Sequence, residues 1–169
     1  MFNHKIHNLN DLLIEELKDL YSAEEQMEKA LPRMAKAAHD GALRQAFESH
    51  HEETIRHRER LEQVFALLNV PAKKRHCQAM EGLVAEGKEA IGEDAAPAVR
   101  DAALIVAAQK AEHYEIASYG SVRTFADLLG HLEVGRLLQA TLEEEAATDK
   151  HLTTLSQSLN VRAQTEVHA

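Results

Sequence analysis

What this 169-residue sequence has little of narrows its fold first. Three prolines and seven glycines leave few break points, so its elements must be long. Few segments are rich in β-branched residues, and none reads as a convincing strand. The single Cys77 excludes an internal disulfide framework and suits a reducing cytoplasm. It reads as a small residue packed in a short helix rather than a redox group. The opening stretch MFNHKIHNLNDLLIEEL has no long apolar run, so neither a signal peptide nor a membrane span is expected. No basic tail or stripe offsets the net charge of −9. That balance argues against nucleic acid or an anionic membrane as a partner.

What is present points to helices. Ala, Leu, Glu, Lys and Gln dominate, and all favour the helix. About 44% of residues are apolar and 28% charged, the mixture of a soluble globular chain. The length suffices for a single domain, 1–169, with a real core.

The spacing predicts a helix from about 11 to 38, capped by Asn10, with core positions Leu13, Leu17, Leu20, Glu24, Met27, Leu31 and Met34. Pro32 should kink it, and Gly41 should act as a left-handed stop. A second helix covers about 42–68 and closes at Asn69-Val70-Pro71. Residues 69–97 hold a basic patch, Lys73-Lys74-Arg75, and a short amphipathic helix around Met80, Leu83, Val84 and Ile91. Further helices are expected over about 98–129, stopping at Gly130, and 131–159. The polar tail over 160–169 reads as frayed. The connections near residues 40 and 130 are short, so each joins an antiparallel hairpin. The connection over 69–97 can run back along a helix roughly 40 Å long. The expected fold is therefore all-α. It is a ferritin-like four-helix bundle of two antiparallel hairpins with one long crossover, plus one short extra helix.

The informative signal is what interrupts the apolar seams. In the last helix a 4-3 spacing selects Leu138, Leu142, Glu145, Asp149, Leu152, Ser156 and Leu159. In the helix before it, the same spacing selects Ile105, Ala108, Glu112, Glu115, Tyr119, Val122, Ala126 and Leu129. In the second helix it selects Leu43, Phe47, His50, Thr54, His57, Leu61, Val64 and Leu68, with Glu53 adjoining. The first helix contributes Glu24. Residues three and four apart share a face, so His50, Glu53 and His57 converge. Glu24 and Glu53 lie at similar distances from the turn near 40, and Glu115 and Glu145 lie equally far from the turn near 130. All four helices thus present acids at about mid-height.

Burying an isolated ionised group costs several kcal/mol even after relaxation. Glu24, Glu53, Glu112, Glu115 and Glu145 would place five negative charges in one layer, and no Lys or Arg occupies the seam. Either several acids are protonated or cations are present. Two divalent ions would neutralise most of the charge, and carboxylates with imidazole suit iron or manganese. Taken singly, each Glu is more often a solvated surface residue. Glu143 and Glu144 fit that description, and the register between Glu144 and Glu145 stays open. His51, His113 and His151 read as surface groups, and Tyr21, Tyr114 and Tyr119 as packing residues. His57 stands equally as a ligand or as a buried neighbour of one. Asp149 reads as a ligand or as a group that orients one.

The stretches DLYSAEEQMEKALP, FESHHEETIRHRERL, CQAMEGLVAEG, VRDAALIVAAQKAEHYEIASYG and TLEEEAATDKHLTTL resemble the YciF-like ferritin-like family of bacterial stress proteins. The resemblance spans about residues 8–158. It implies a ferritin-like bundle with a short extra helix, commonly dimeric, and a ferroxidase-like label without a settled reaction. The family motifs fall on Glu24, on His50 and Glu53, on Glu112 and Glu115, and on Glu144-Glu145. Typical ferritin-like di-iron proteins carry Glu-x-x-His on two helices. Here the second helix reads His50-x-x-Glu53, and the last offers Glu145 with Asp149.

The expected metal ligands are therefore Glu24, His50, Glu53, Glu112, Glu115 and Glu145, with His57, Asp149 and Glu144 of second rank. The expected cofactor is two iron ions, or manganese as a variant, serving oxygen or peroxide chemistry in a cytoplasmic homodimer. A dimer of this length cannot enclose a storage cage. The rival is a non-enzymatic stress-response protein with a structural or vestigial metal and an acidic surface for a protein partner.

Overall fold

The computed structural model describes residues 6–165. They form α1 (Leu9–Ala37), α2 (Gly41–Leu67), α3 (Gln78–Gly92), α4 (Pro97–Leu128) and α5 (Leu132–Thr165). No strand occurs among the described residues. Helices α1, α2, α4 and α5 make the four-helix bundle, and α3 is the short helix of the crossover.

The ends differ from the sequence reading for local physical reasons. Asn8, not Asn10, caps α1, its Oδ1 accepting from the Asp11 N–H at 2.9 Å. Gly41 is not a left-handed stop. Helix α1 ends where Ala38 turns extended, and Gly41 opens α2 behind Asp40, whose Oδ1 accepts from Ala42 and Leu43 N–H. The left-handed positions are Asn69 (φ 55°) and Gly130 (φ 80°), after α2 and α4. Pro32 lies inside α1, which continues through it with Pro32 on the exposed side. The tail is less frayed than expected: α5 runs on to Thr165 because Leu159 is buried and Arg162 pairs with Asp40. The rest of that tail, 166–169, lies outside the described residues. Cys77 is the N-cap of α3 rather than a residue within it. It is buried, with its Sγ 3.4 Å from the Met80 N–H.

Long-range contacts fix the direction of each helix. Asp101, near the start of α4, is buried and accepts from the His39 and Asp40 N–H groups at 2.8 Å each, satisfying the α1–α2 turn. The end of α5 reaches the same turn through Arg162. Helices α2 and α4 therefore start at one end and run parallel, as the long crossover requires. The hairpins α1–α2 and α4–α5 close into a ring through α2 on α5 and α1 on α4, and α3 lies across α1 and α4.

Two apolar clusters fill the ring. One, toward the α1–α2 turn, contains Met27, Leu31, Phe47, Leu104 and Leu152. The other, toward the α4–α5 turn, contains Leu13, Leu17, Leu61, Phe65 and Leu138. A fully buried side chain of this size contributes roughly 1.5–3 kcal/mol. These clusters supply the stability that a polar layer between them would otherwise erode.

Candidate metal centre

That polar layer contains Glu24, His50, His57, Glu112, Glu115 and Glu145, none more than 3% exposed. Each comes from the seam of its helix, so the apolar periodicity that buries the leucines also buries these groups. Their ligand atoms fall into two sets, each within 4.8 Å. One set is His50, Glu112, Glu115 and Glu145; the other is Glu24, His57 and Glu145. Glu145 belongs to both.

Within the first set His50 Nε2 lies 3.0 Å from Glu112 Oε1 and 3.8 Å from Glu145 Oε2. In the second, His57 Nδ1 lies 2.9 Å from Glu145 Oε1 and 3.7 Å from Glu24 Oε1. These approaches lack hydrogen-bond geometry. Both oxygens of Glu112, Glu115 and Glu145, together with His50 Nε2 and His57 Nδ1, are buried with no hydrogen-bond partner. An unsatisfied buried polar group costs about 1–3 kcal/mol, more when charged. Such groups are rare singly. Here they converge on one place, and carboxylate and imidazole are the donors that hold hard and borderline divalent ions. The residues present fit a metal centre.

The surrounding groups orient these donors. His57 Nε2 is 2.8 Å from Glu144 Oε2, and Glu144 also accepts from both terminal guanidinium nitrogens of Arg60, at 2.8 and 3.2 Å. Arg60 is held in turn against Thr141 Oγ1 at 2.6 Å. With Glu144 ionised beside Arg60, Nε2 carries the His57 proton and Nδ1 keeps its lone pair toward the centre. Tyr119 O–H donates to Glu24 Oε1. Thr148 Oγ1 stands 3.5 Å from His50 Nδ1 and 3.4 Å from Glu53 Oε2.

The electrostatics follow burial. Desolvation, then the neighbouring Glu145, Glu24 and Glu112, pushes Glu115 well above the carboxylate range. Desolvation and Glu112 do the same to Glu145. Burial raises Glu24 too, against the opposing pull of His57 and the Tyr119 hydrogen bond. The Tyr119 phenol is pushed well up by burial and by the Glu24 charge. The two histidines diverge. Burial alone would lower His50, but Glu112 and Glu53 carry it well above its usual value. Burial lowers His57 and prevails over Glu24. Glu144 feels an upward push from partial burial, but Arg60 holds it below the usual range.

Among the expected ligands, Glu24, His50, Glu112, Glu115 and Glu145 come together, with His57 joining them. Glu53 does not enter either set. Its side chain is 32% exposed, with Oε2 3.5 Å from His50 Nδ1. The helix α5 register resolves to Glu145 inward and Glu144 at the flank. Asp149 faces away, accepting from Gln109 Nε2 at 3.0 Å and lying 3.3 Å from His113 Nε2. Arg60, Thr141 and Thr148 were not among the expected residues. Each lies three or four positions from a centre residue, counting His57 to Arg60, Thr141 to Glu145, and Glu145 to Thr148. That helical spacing is the signal that marks them.

Comparison with known proteins places the chain in a family. A family model described as a domain of unknown function, DUF892, matches residues 8–165. The chain belongs to this family. It is 49% identical over 149 residues to the protein YciF of Escherichia coli K12, covering 88% of this chain and 90% of the relative. The crystal structure of the E. coli stress protein YciF superposes with a TM-score of 0.89 at 47% identity, covering 91% of this chain and 98% of that one. YcfI of Rhodopseudomonas palustris gives a TM-score of 0.88 at 43% identity, with the same shares covered. This DUF892 chain thus shares both sequence and fold with a bacterial stress protein. No helix among its described residues is long and apolar enough to cross a membrane.

Proposed function

We propose that the chain holds a pair of iron ions in its mid-bundle layer and carries out oxygen- or peroxide-linked redox chemistry there. The observation that carries this reading is the convergence of buried carboxylate oxygens and imidazole nitrogens, most of them without a hydrogen bond, in two sets sharing Glu145. Bound iron would supply Lewis acidity and exchange electrons with the oxidant, and manganese is the variant for the same donors. The chain's own part is to bind and orient. His50, Glu112 and Glu115 would hold one ion, Glu24 and His57 the other, and Glu145 would reach both. Glu144 keeps the His57 proton on Nε2. Tyr119 holds Glu24 Oε1 in place. The apolar clusters close the layer from above and below. We extend the stress association of the E. coli relative to this chain on their similarity in sequence and fold.

A second reading, a purely structural ion, is favoured by how completely Glu112, Glu115 and Glu145 are enclosed. One experiment separates them. Protein purified without oxygen is assayed for metal, loaded with Fe(II), and followed optically on exposure to air or peroxide. The redox reading expects bound iron and an oxidation rate that the Glu112→Ala/Glu115→Ala double variant abolishes. Bound metal without faster oxidation supports the structural ion. Absence of bound metal sinks both.

A further inference from the structure

The bundle's two long sides differ, and the difference has a functional meaning that rests on the metal reading above. On one side α3 lies across the α1–α4 seam and packs Met80 and Leu83 onto the core. On the opposite side, no described helix covers the α2–α5 seam. A cleft of about 440 Å³ opens there. Small residues make the space: Ala46 of α2 and Ala147 of α5 stand where larger side chains would fill it. Glu53 lines its wall, and the buried His50 and Glu112 lie at its floor. At about 30 Å³ per water, a divalent ion with six waters occupies on the order of 200 Å³. The cleft therefore admits the hydrated ion.

The polar groups descend in order of exposure. Gln45, Ser49 and His151 are exposed at the mouth. Glu144 and Glu53 come next at 37% and 32% exposed, Glu144 being tied to Arg60, and then the enclosed His50 and Glu112 at 3% and 0%. Glu53 is lightly held. Its contacts to Thr148, His50 and the exposed Arg56 are 3.4, 3.5 and 3.9 Å, all long. A divalent ion cannot shed all its waters at once without a large desolvation cost. A half-exposed carboxylate between solvent and the buried donors would replace some of those waters first. The geometry points to the α2–α5 cleft as the route by which a hydrated divalent cation reaches the centre, with Glu53 taking it from water and passing it to His50 and Glu112. Glu53 is then a relay, which accounts for its place on the seam yet outside both donor sets.

The test is the rate of Co(II) uptake by the metal-free full chain, read from visible absorption after rapid mixing. Ala46→Trp and Ala147→Trp, made separately, fill the cleft without replacing a donor. Each is expected to slow uptake at least tenfold while final stoichiometry and helical circular dichroism stay those of the parent. Glu53→Gln is expected to slow uptake with the same end point. Val106→Trp, on an exposed α4 position away from the cleft, should leave the rate unchanged and controls for surface bulk. Parental rates in both cleft variants, or equal slowing by Val106→Trp, overturn the route. Should one tryptophan variant misfold, the other carries the test, with Ala147→Leu beside it. Failure of the parent chain to take up Co(II) overturns the centre and the route together, so the two failures are distinguishable.

Discussion

The two histidines of α2 stand one on each side of Glu145, and their surroundings are unlike. His57 is locked: Nε2 is committed to Glu144, which is fixed by Arg60, itself held against Thr141. His50 is open: its Nδ1 meets only the longer contacts of Thr148 and Glu53, at the floor of the cleft. Burial dominates His57 and lowers its pKa, whereas Glu112 and Glu53 raise that of His50. Two histidines on one helix, two turns apart, thus acquire opposite properties from what packs against each. On the metal reading proposed above, the locked half would hold its ion and the open half would exchange it.

The largest effect expected is from the residue both halves share. Glu145→Ala removes the carboxylate common to both sets. It should abolish stable metal binding at both, read as metal retained after desalting. Retention of one full equivalent would show that the halves are independent and that Glu145 bridges nothing. Next comes the lock. Glu144→Ala frees His57 Nε2 and lets the ring choose either tautomer. Losing such an orienting partner costs about 10–100-fold in metal affinity. In calorimetric titrations the weaker binding should appear in one of two phases, with the other unchanged; equal weakening of both would erase the distinction drawn here.

The pH dependence of the metal-free chain is smaller and mixed in sign. Glu115 and Glu145 bind protons more readily folded than unfolded. Their contribution to stability is complete below about 4.3, the ordinary carboxylate value, and is lost as pH rises through their raised values. His50 acts likewise: its contribution is full below about 6.5 and is lost as pH climbs through its raised value. His57, whose pKa is lowered, opposes them, contributing stability above about 6.5 that is lost as pH falls. The net expectation is a urea midpoint that declines from pH 5 to 8, each proton counting for at most about 1.4 kcal/mol per pH unit. Added divalent metal should reverse the slope, because ligation requires deprotonated donors. A midpoint that climbs steadily with pH in the metal-free chain would contradict the assigned shifts. The smallest effect is Tyr119→Phe. It removes one hydrogen bond to Glu24, worth about 1 kcal/mol. It should slightly weaken only the ion on the His57 side, measured by the same titration.

Much of the centre was legible because burial is periodic. A helix that must hide Leu138, Leu152 and Leu159 also hides Glu145, and the 4-3 spacing exposes that without coordinates. Asp149 shows where the pattern misleads. Four residues advance about 400°, leaving Asp149 about 40° past the direction of Glu145. That offset turns it toward Gln109 of α4 and away from the centre. On α2 the buried line runs through His50, Thr54 and His57, and Glu53 flanks it at the rim. Arg60 escaped notice because its role is defined by Glu144, a residue from another helix.

By itself the sequence determined the helices, their pairing into hairpins and the level at which acids enter the core. These follow from local propensity, connection length and a repeat that one helix carries alone. Only the tertiary structure decided which donors meet, that Glu145 is shared, that His57 is locked while His50 is open, and that one seam is covered by α3 and the other is left as a cleft. Those properties depend on distances between helices far apart in the chain. They are set when four amphipathic faces settle into a single packing, and no single helix encodes them.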